Sequence, residues 1–224
     1  MTSEEPYVFP KWTDRIRSYA LVLALIGGAY TVVIVAWGFS PQATDVGYQP
    51  EQPIPYSHAL HAGKLGIDCR YCHTGVEHAA RAAIPSTQIC MNCHSSKGVA
   101  IESQRLWKVA KIRTSAATGK PIEWVRVHDL PDYVYFDHSA HVRRGVGCVT
   151  CHGRVDRMEK VYQAKLLDMQ WCLNCHRNPE RYLRPLDRVT DMEWTPPEPR
   201  EEFGRQLREK YDINPSTDCS TCHR

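Results

Sequence analysis

The chain divides into one strongly apolar segment and a long remainder without a sustained hydrophobic period. From Tyr19 to Phe39 run 21 residues without a charge, YALVLALIGGAYTVVIVAWGF. As a helix this run is about 31 Å long, one hydrocarbon core. Trp12, Tyr19, Trp37 and Phe39 stand near its ends, where interfacial aromatics belong, and Lys11, Arg15 and Arg17 precede it. No Lys or Arg follows until Lys64. The positive-inside rule then predicts a single-pass anchor in the cytoplasmic membrane. Residues 1–18 would be cytoplasmic, 19–39 spanning, and 40–224 on the periplasmic or extracellular face. A cleavable signal peptide fits less well. Its apolar core runs only about 7–15 residues, and Ser40-Pro41-Gln42-Ala43 offers no small-residue cleavage pattern.

After the anchor the pattern is broken by most of the 15 prolines and 13 glycines, as in a loop-rich chain. Residues 122–128, IEWVRVH, alternate like a short strand, and the charged stretch from Arg200 to Tyr211 predicts a helix. The regions 98–128 and 196–215 read as belts or docking surfaces. Charged residues make up 24% and the mean hydropathy is −0.46, which excludes a polytopic membrane protein. A formal charge of +3 is too small and too scattered for nucleic-acid binding.

The 10 cysteines change this picture. All fall into pairs followed directly by histidine: Cys69-Arg-Tyr-Cys72-His73, Cys90-Met-Asn-Cys93-His94, Cys148-Val-Thr-Cys151-His152, Cys172-Leu-Asn-Cys175-His176 and Cys219-Ser-Thr-Cys222-His223. CxxCH is the attachment sequence of c-type haem. Two thiols at this spacing add to the two vinyl groups of one porphyrin, and the adjacent histidine ligates the iron. Zinc would take two pairs per metal and strand the fifth; a disulfide framework gives no reason for the histidines. Five covalent haems in the residues after Phe39 leave little chain for an ordinary core. The predicted fold is therefore a multihaem cytochrome c: mainly short α-helices and loops wrapped around five haems, plus one N-terminal transmembrane helix.

An internal repeat organises the motifs. Their first cysteines are separated by 21, 58, 24 and 47 residues. Tyr56-Ser-His58-Ala-Leu-His61 precedes the first motif and Phe136-Asp-His138-Ser-Ala-His141 the third. The offset is 80 for the histidines, 79 for Cys69 against Cys148, and 82 for Cys90 against Cys172. Residues 56–94 and 136–176 thus read as duplicated dihaem units, with a fifth site at 219–223. Six histidines remain as distal ligands: His58, His61, His78, His128, His138 and His141. By repeat symmetry His58 and His138 would cap the first and third irons, while His61 and His141, on the same helical face, would reach neighbouring haems. His78 would cap the second iron, and Met158, near the equivalent position in the second copy, the fourth. Met169 competes with Met158 for that role, and His128 is a ligand or a donor to one. A His/Met iron has a higher potential than a bis-His iron.

With sixth ligands for every iron, and no CxxCK variant, nucleophile motif or nucleotide fingerprint, the pattern points to electron conduction without a catalytic site in this chain. The anchor, the five motifs, HALHAGKLGIDCRYCHTGVEHAARAAIPSTQICMNCH and FDHSAHVRRGVGCVTCHGRVDRMEKVYQAKLLDMQWCLNCHRNPE together resemble the pentahaem cytochrome subunit of bacterial alternative complex III, over most of the chain. The resemblance implies a respiratory quinol:electron-acceptor oxidoreductase. It further implies an iron–sulfur, molybdopterin-enzyme-like partner subunit and polytopic quinol-binding membrane subunits. Electrons from menaquinol would reach another cytochrome c, a copper protein or a terminal oxidase. Two other classes compete. A self-contained NapC-type quinol dehydrogenase would need a labile haem near the bilayer, with Asp45 or Glu51 as proton acceptor. A terminal reductase would need an open iron.

Overall fold

In a computed structural model the chain separates into two units, Met1–Asp45 and Val46–Arg224. The structure describes residues 8–95, 97–98, 100 and 107–223. Residues 1–7 of the expected cytoplasmic segment, and 99 and 101–106 of the expected belt, lie outside the described residues.

The first unit consists of α1, Trp12–Gly38, and a single turn α2, Pro41–Thr44. Helix α1 starts seven residues before the uncharged run. Asp14, Arg15 and Arg17 set where the apolar surface begins, not where the backbone stops being helical, and Asp14 suits the positive end of the helix dipole. The helix ends at Gly38 because Pro41 disfavours helical backbone at Ser40. Leu21, Leu23, Leu25, Val32 and Val33 are all exposed, and α1 buries no residue. Its apolar side chains are thus exposed on every side rather than along one buried stripe. By length and composition α1 can cross a membrane.

The second unit is helical with loops, and among the described residues it holds only isolated bridges, Val134 with His223 and Val146 with Leu183, and no strand. Its helices are short: α3 (Cys69–Cys72), α4 (Thr87–His94), α5 (Ala110–Thr118), α6 (His138–Val142), α7 (Cys148–His152), α8 (Met169–Arg177), α9 (Arg200–Lys210) and α10 (Cys219–Cys222). A π-helical turn covers Ala59–Lys64. The helix expected from Arg200 forms as α9. The strand expected at 122–128 does not form, and its hydrogen bonds are met differently. Gln52 donates from Nε2 to the Val125 carbonyl at 2.9 Å and accepts the Val125 N–H at 3.0 Å, so one side-chain amide stands in for a partner strand.

Aliphatic packing is sparse. One cluster joins Ile54, Val109 and Ile112 with Cys90, Met91, Ile122 and Trp124; the other joins Leu183, Leu207 and Ile213 with Val146, Phe203 and Tyr211. A soluble domain of this length would normally carry one continuous core. Helix α9 closes the second cluster by packing on the 3-10 turn Pro179–Arg181, and Gly204 makes that approach possible. A Cβ at 204 would stand 2.0 Å from the Glu180 carbonyl oxygen. Gly204→Ala is expected to cost about 1–3 kcal/mol through overpacking. A lower thermal midpoint with unchanged haem content would show it.

Candidate haem sites

Every CxxCH motif sits in or at the end of a short helix: α3, α4, α7, α8 and α10. One helical turn puts residues i and i+3 on the same face with i+4 beside them, so each pair of thiols and its histidine present together. None of the ten cysteines is in a disulfide. Asp68 and Asp168 cap two of these turns, accepting from Arg70 N at 2.8 Å and Trp171 N at 2.7 Å. The Arg70 guanidinium, hydrogen-bonded to Asp68, holds that carboxyl down to about 2. The stability this pairing contributes is present above the ordinary carboxylate range and is lost as pH falls through about 2.

The histidines are oriented by the backbone. His73 Nδ1 bonds the Ala83 carbonyl at 2.8 Å, His176 the Ser216 carbonyl at 2.6 Å and His138 the Ala80 carbonyl at 2.9 Å. His61 and His141 bond the carbonyls four residues earlier, of Ser57 at 2.8 Å and Asp137 at 2.7 Å. A carbonyl only accepts, so Nδ1 carries the proton and Nε2 keeps its lone pair for a metal. Burial, aided by neighbouring histidines, lowers His58 to about 4 and His152 to about 3, and moves His94, His128 and His141 in the same direction. These rings are therefore neutral at physiological pH, as ligation requires.

Four motif histidines are each faced by a second ring. The centroid separations are 6.5 Å for His58 and His73, 6.2 Å for His61 and His94, 6.4 Å for His138 and His152, and 6.1 Å for His141 and His176. Two imidazoles bound on opposite sides of one metal, through bonds of about 2 Å, stand with ring centres roughly 6.4 Å apart. The donor set and its spacing thus fit a hexacoordinate haem iron. The ring planes differ by 2° and 9° in the first and third pairs, and by 56° and 45° in the second and fourth. The duplication is visible in its supports as well. Tyr56 meets His58 edge-on at 4.8 Å and stacks on His61 at 4.4 Å; Phe136 repeats this with His138 at 4.8 Å and His141 at 4.7 Å.

The other expected ligands form no pair at this spacing. His78 is exposed beside Ala79 and Ala80, whose carbonyls accept the N–H groups of Ser139 and His138. The His128 ring lies 4.5 Å from His152, with its buried Nε2 unpartnered. Met158 is 5% exposed and approaches Gly153, while Met169, at the start of α8, is 64% exposed. The ring nearest His176 is that of His141, and the ring facing His223 is that of Tyr133, at 5.8 Å. Residue spacing could not have revealed the role of Tyr56 and Phe136, although their place two residues before each HxxH was a usable signal.

Contacts between the motifs join them out of sequence order. Asn92 in the second motif donates to the Tyr71 hydroxyl in the first at 3.0 Å. The Cys69 and Cys148 side chains are neighbours, which brings the first motif against the third. Gly63 meets the turn after the third motif, where a Cβ would stand 2.2 Å from the Asp156 carbonyl oxygen. The fifth motif is tied to the segment before the third by Tyr135 N donating to the Cys222 carbonyl at 2.8 Å. It is tied to the fourth by the His176–Ser216 bond.

Repeated dithiol–histidine turns, with imidazoles spaced to bracket a metal, define a multihaem c-type cytochrome, an electron-transport protein. Residues 134–224, which hold the third to fifth motifs, match the family of cytochrome c7 and related cytochrome c. The chain is also similar to the multihaem cytochrome c subunit of menaquinone reductase from Nitratidesulfovibrio vulgaris. It is 28% identical over 172 residues, covering 67% of this chain and 79% of that protein.

Proposed function

We propose that the chain is a membrane-anchored pentahaem cytochrome that conducts electrons within a menaquinol-oxidising complex of the alternative complex III type. One observation carries the reading: four motif histidines are each faced by a second histidine at metal-bracketing distance. A proximal histidine opposed in this way leaves no open position for substrate, which favours conduction over a terminal reductase. Bound c-type haems supply one-electron exchange between Fe(III) and Fe(II). In this pairing Met158 packs without ligating, Met169 is exposed, and His223 is faced by the Tyr133 ring. The contacts between motifs favour the spatial order second, first, third, fourth, fifth, with the two dihaem units meeting at Cys69 and Cys148.

Helix α1, with basic residues only on its N-terminal side, supports an uncleaved anchor with the N-terminus cytoplasmic and residues 40–224 outside. The partners are an iron–sulfur, molybdopterin-enzyme-like subunit and polytopic quinol-binding subunits. The electrons leave to another cytochrome c, a copper protein or a terminal oxidase. The similarity to a menaquinone reductase subunit supports menaquinone as the quinone.

An alkaline pyridine haem assay should give five haems per chain; four or fewer would undo the count. The purified chain in liposomes should fail to oxidise menaquinol while the intact complex does so. Oxidation by the chain alone would favour the NapC-type reading. Electron paramagnetic resonance of the oxidised protein should show two low-spin classes, a rhombic one from the near-parallel ring pairs and a more anisotropic one from the tilted pairs. A single class would contradict the pairing.

A further inference from the structure

Arg184 is a buried cation beside the third motif. It is 6% exposed. Its side chain lies on Gly147, the residue before Cys148, where a Cβ would stand 2.2 Å from Nε and 2.3 Å from Cζ. A Cβ at 147 would force the guanidinium to shift. Gly145 holds the same strand of contact from the backbone side. With φ at +79° it accepts the Arg184 N–H at 2.9 Å, and a Cβ there would meet the Arg184 carbonyl oxygen at 2.4 Å.

The hydrogen bonds of the guanidinium go to carbonyls, and the charge of the Asp191 carboxylate acts on it only from a distance. Nη1 donates to the carbonyls of Arg188 at 3.1 Å and Asp191 at 2.7 Å, and the Trp194 ring lies 5.0 Å from Cζ. Nε is buried and unpartnered. Among the described residues no carboxylate forms an ion pair with Arg184. The Asp191 carboxylate instead accepts the N–H groups of Glu193 and Trp194, each at 3.0 Å, and reaches Arg188 at 3.4 Å. Burying an arginine with no carboxylate at ion-pair distance is unfavourable, yet a guanidinium stays protonated even there. A fixed positive charge is therefore held against the helix turn that bears Cys148, Cys151 and His152.

We propose that Arg184 is a positioning residue for electrons: its charge raises the reduction potential of the third haem. The proposal rests on reading Cys148–His152 as a haem site. A haem held by Cys148, Cys151 and His152 would take one electron from a neighbouring haem, going from Fe(III) to Fe(II) and losing one positive charge. A nearby cation destabilises the ferric state more than the ferrous one, and the low local dielectric strengthens the effect. The third motif lies against the first, so a haem held there would take part in transfer between the two dihaem units, and this charge would set its potential.

The test is a potentiometric titration of the detergent-solubilised holoprotein and of Arg184→Met, Arg184→Gln and Arg184→Lys variants, each with its haems counted. Loss of the charge should raise the ferric to ferrous ratio of one haem by about three- to tenfold at a fixed potential, tenfold being about 59 mV for one electron. The lysine variant should titrate close to the native protein. Unchanged potentials in the neutral variants, or a lysine variant shifted as far as the methionine one, would overturn the proposal. So would loss of haem from every variant, which would make Arg184 a folding residue. A native count below five with the third site empty would instead overturn the haem reading beneath it.

Discussion

In a His141→Ala variant, one haem is expected to become high-spin while five remain attached, whereas Met158→Leu should leave every iron low-spin. The His141 ring stands 6.1 Å from His176, and its Nδ1 is bonded to the Asp137 carbonyl, which fixes the tautomer. Phe136 stacks on the ring at 4.7 Å and holds it in place. Alanine removes the ligand, the stacking and a hydrogen bond, costing about 2–4 kcal/mol of fold stability. Leucine at 158 keeps the volume of a buried methionine and should cost under about 1.5 kcal/mol. Absorption spectra and thermal melts of the two variants decide between them. If the fourth iron were methionine-bound, Met158→Leu would give the high-spin centre and His141→Ala would not, and the weak far-red methionine–iron band of the native protein would vanish with the leucine.

The chemistry of the sites was legible because covalent haem attachment has a local code. Ten cysteines at fixed spacing name their own role, and the HxxH repeat points to paired ligands without any knowledge of the fold. What stayed hidden were features set by tertiary contact. The histidine offset of 80 against a cysteine offset of 79 marks one extra residue in the first copy. In the structure that residue is absorbed by the π-helical turn Ala59–Lys64, where the second copy has the α-helical turn His138–Val142. Sequence shows the insertion but not how the backbone takes it up. The contact between Cys69 and Cys148 joins equivalent positions of the two copies, 79 residues apart, and a repeat does not say that its equivalent positions touch. The apparent strand at 122–128 misled because alternation reports which residues face inward, not whether a neighbouring strand exists; the neighbour is the Gln52 side chain. Arg184 sits among charged residues in a loop, and nothing nearby in sequence marks it as buried.

Removing the last haem and removing the third should have opposite consequences for the fold. A chain ending at Asp218 loses Cys219, Cys222 and His223. What it gives up in protein contacts includes the bridge from Val134 to His223, in which the Tyr135 N–H bonds the Cys222 carbonyl, and the Tyr133–His223 ring contact, about 1–3 kcal/mol. Ser216 stays, so the carbonyl that orients His176 is kept. Four haems and a cooperative melt at a slightly lower temperature are expected. Serine at both Cys148 and Cys151 strikes a different place. Cys148 is bonded through its N–H to the Val189 carbonyl, its thiol meets Cys69, and the residues around it cradle Arg184. The His138 ring that faces His152 is also tied to the loop after the first motif, through Ala80. Without a haem there, the second dihaem unit loses the motif through which it meets the first, in a domain with little aliphatic core to compensate. Little folded holoprotein should accumulate, as haem-stained gels of membranes would show. Should the truncated chain lose every haem while the double serine variant keeps four, the fifth site rather than the third would be the centre of the domain, and the order second, first, third, fourth, fifth would be wrong.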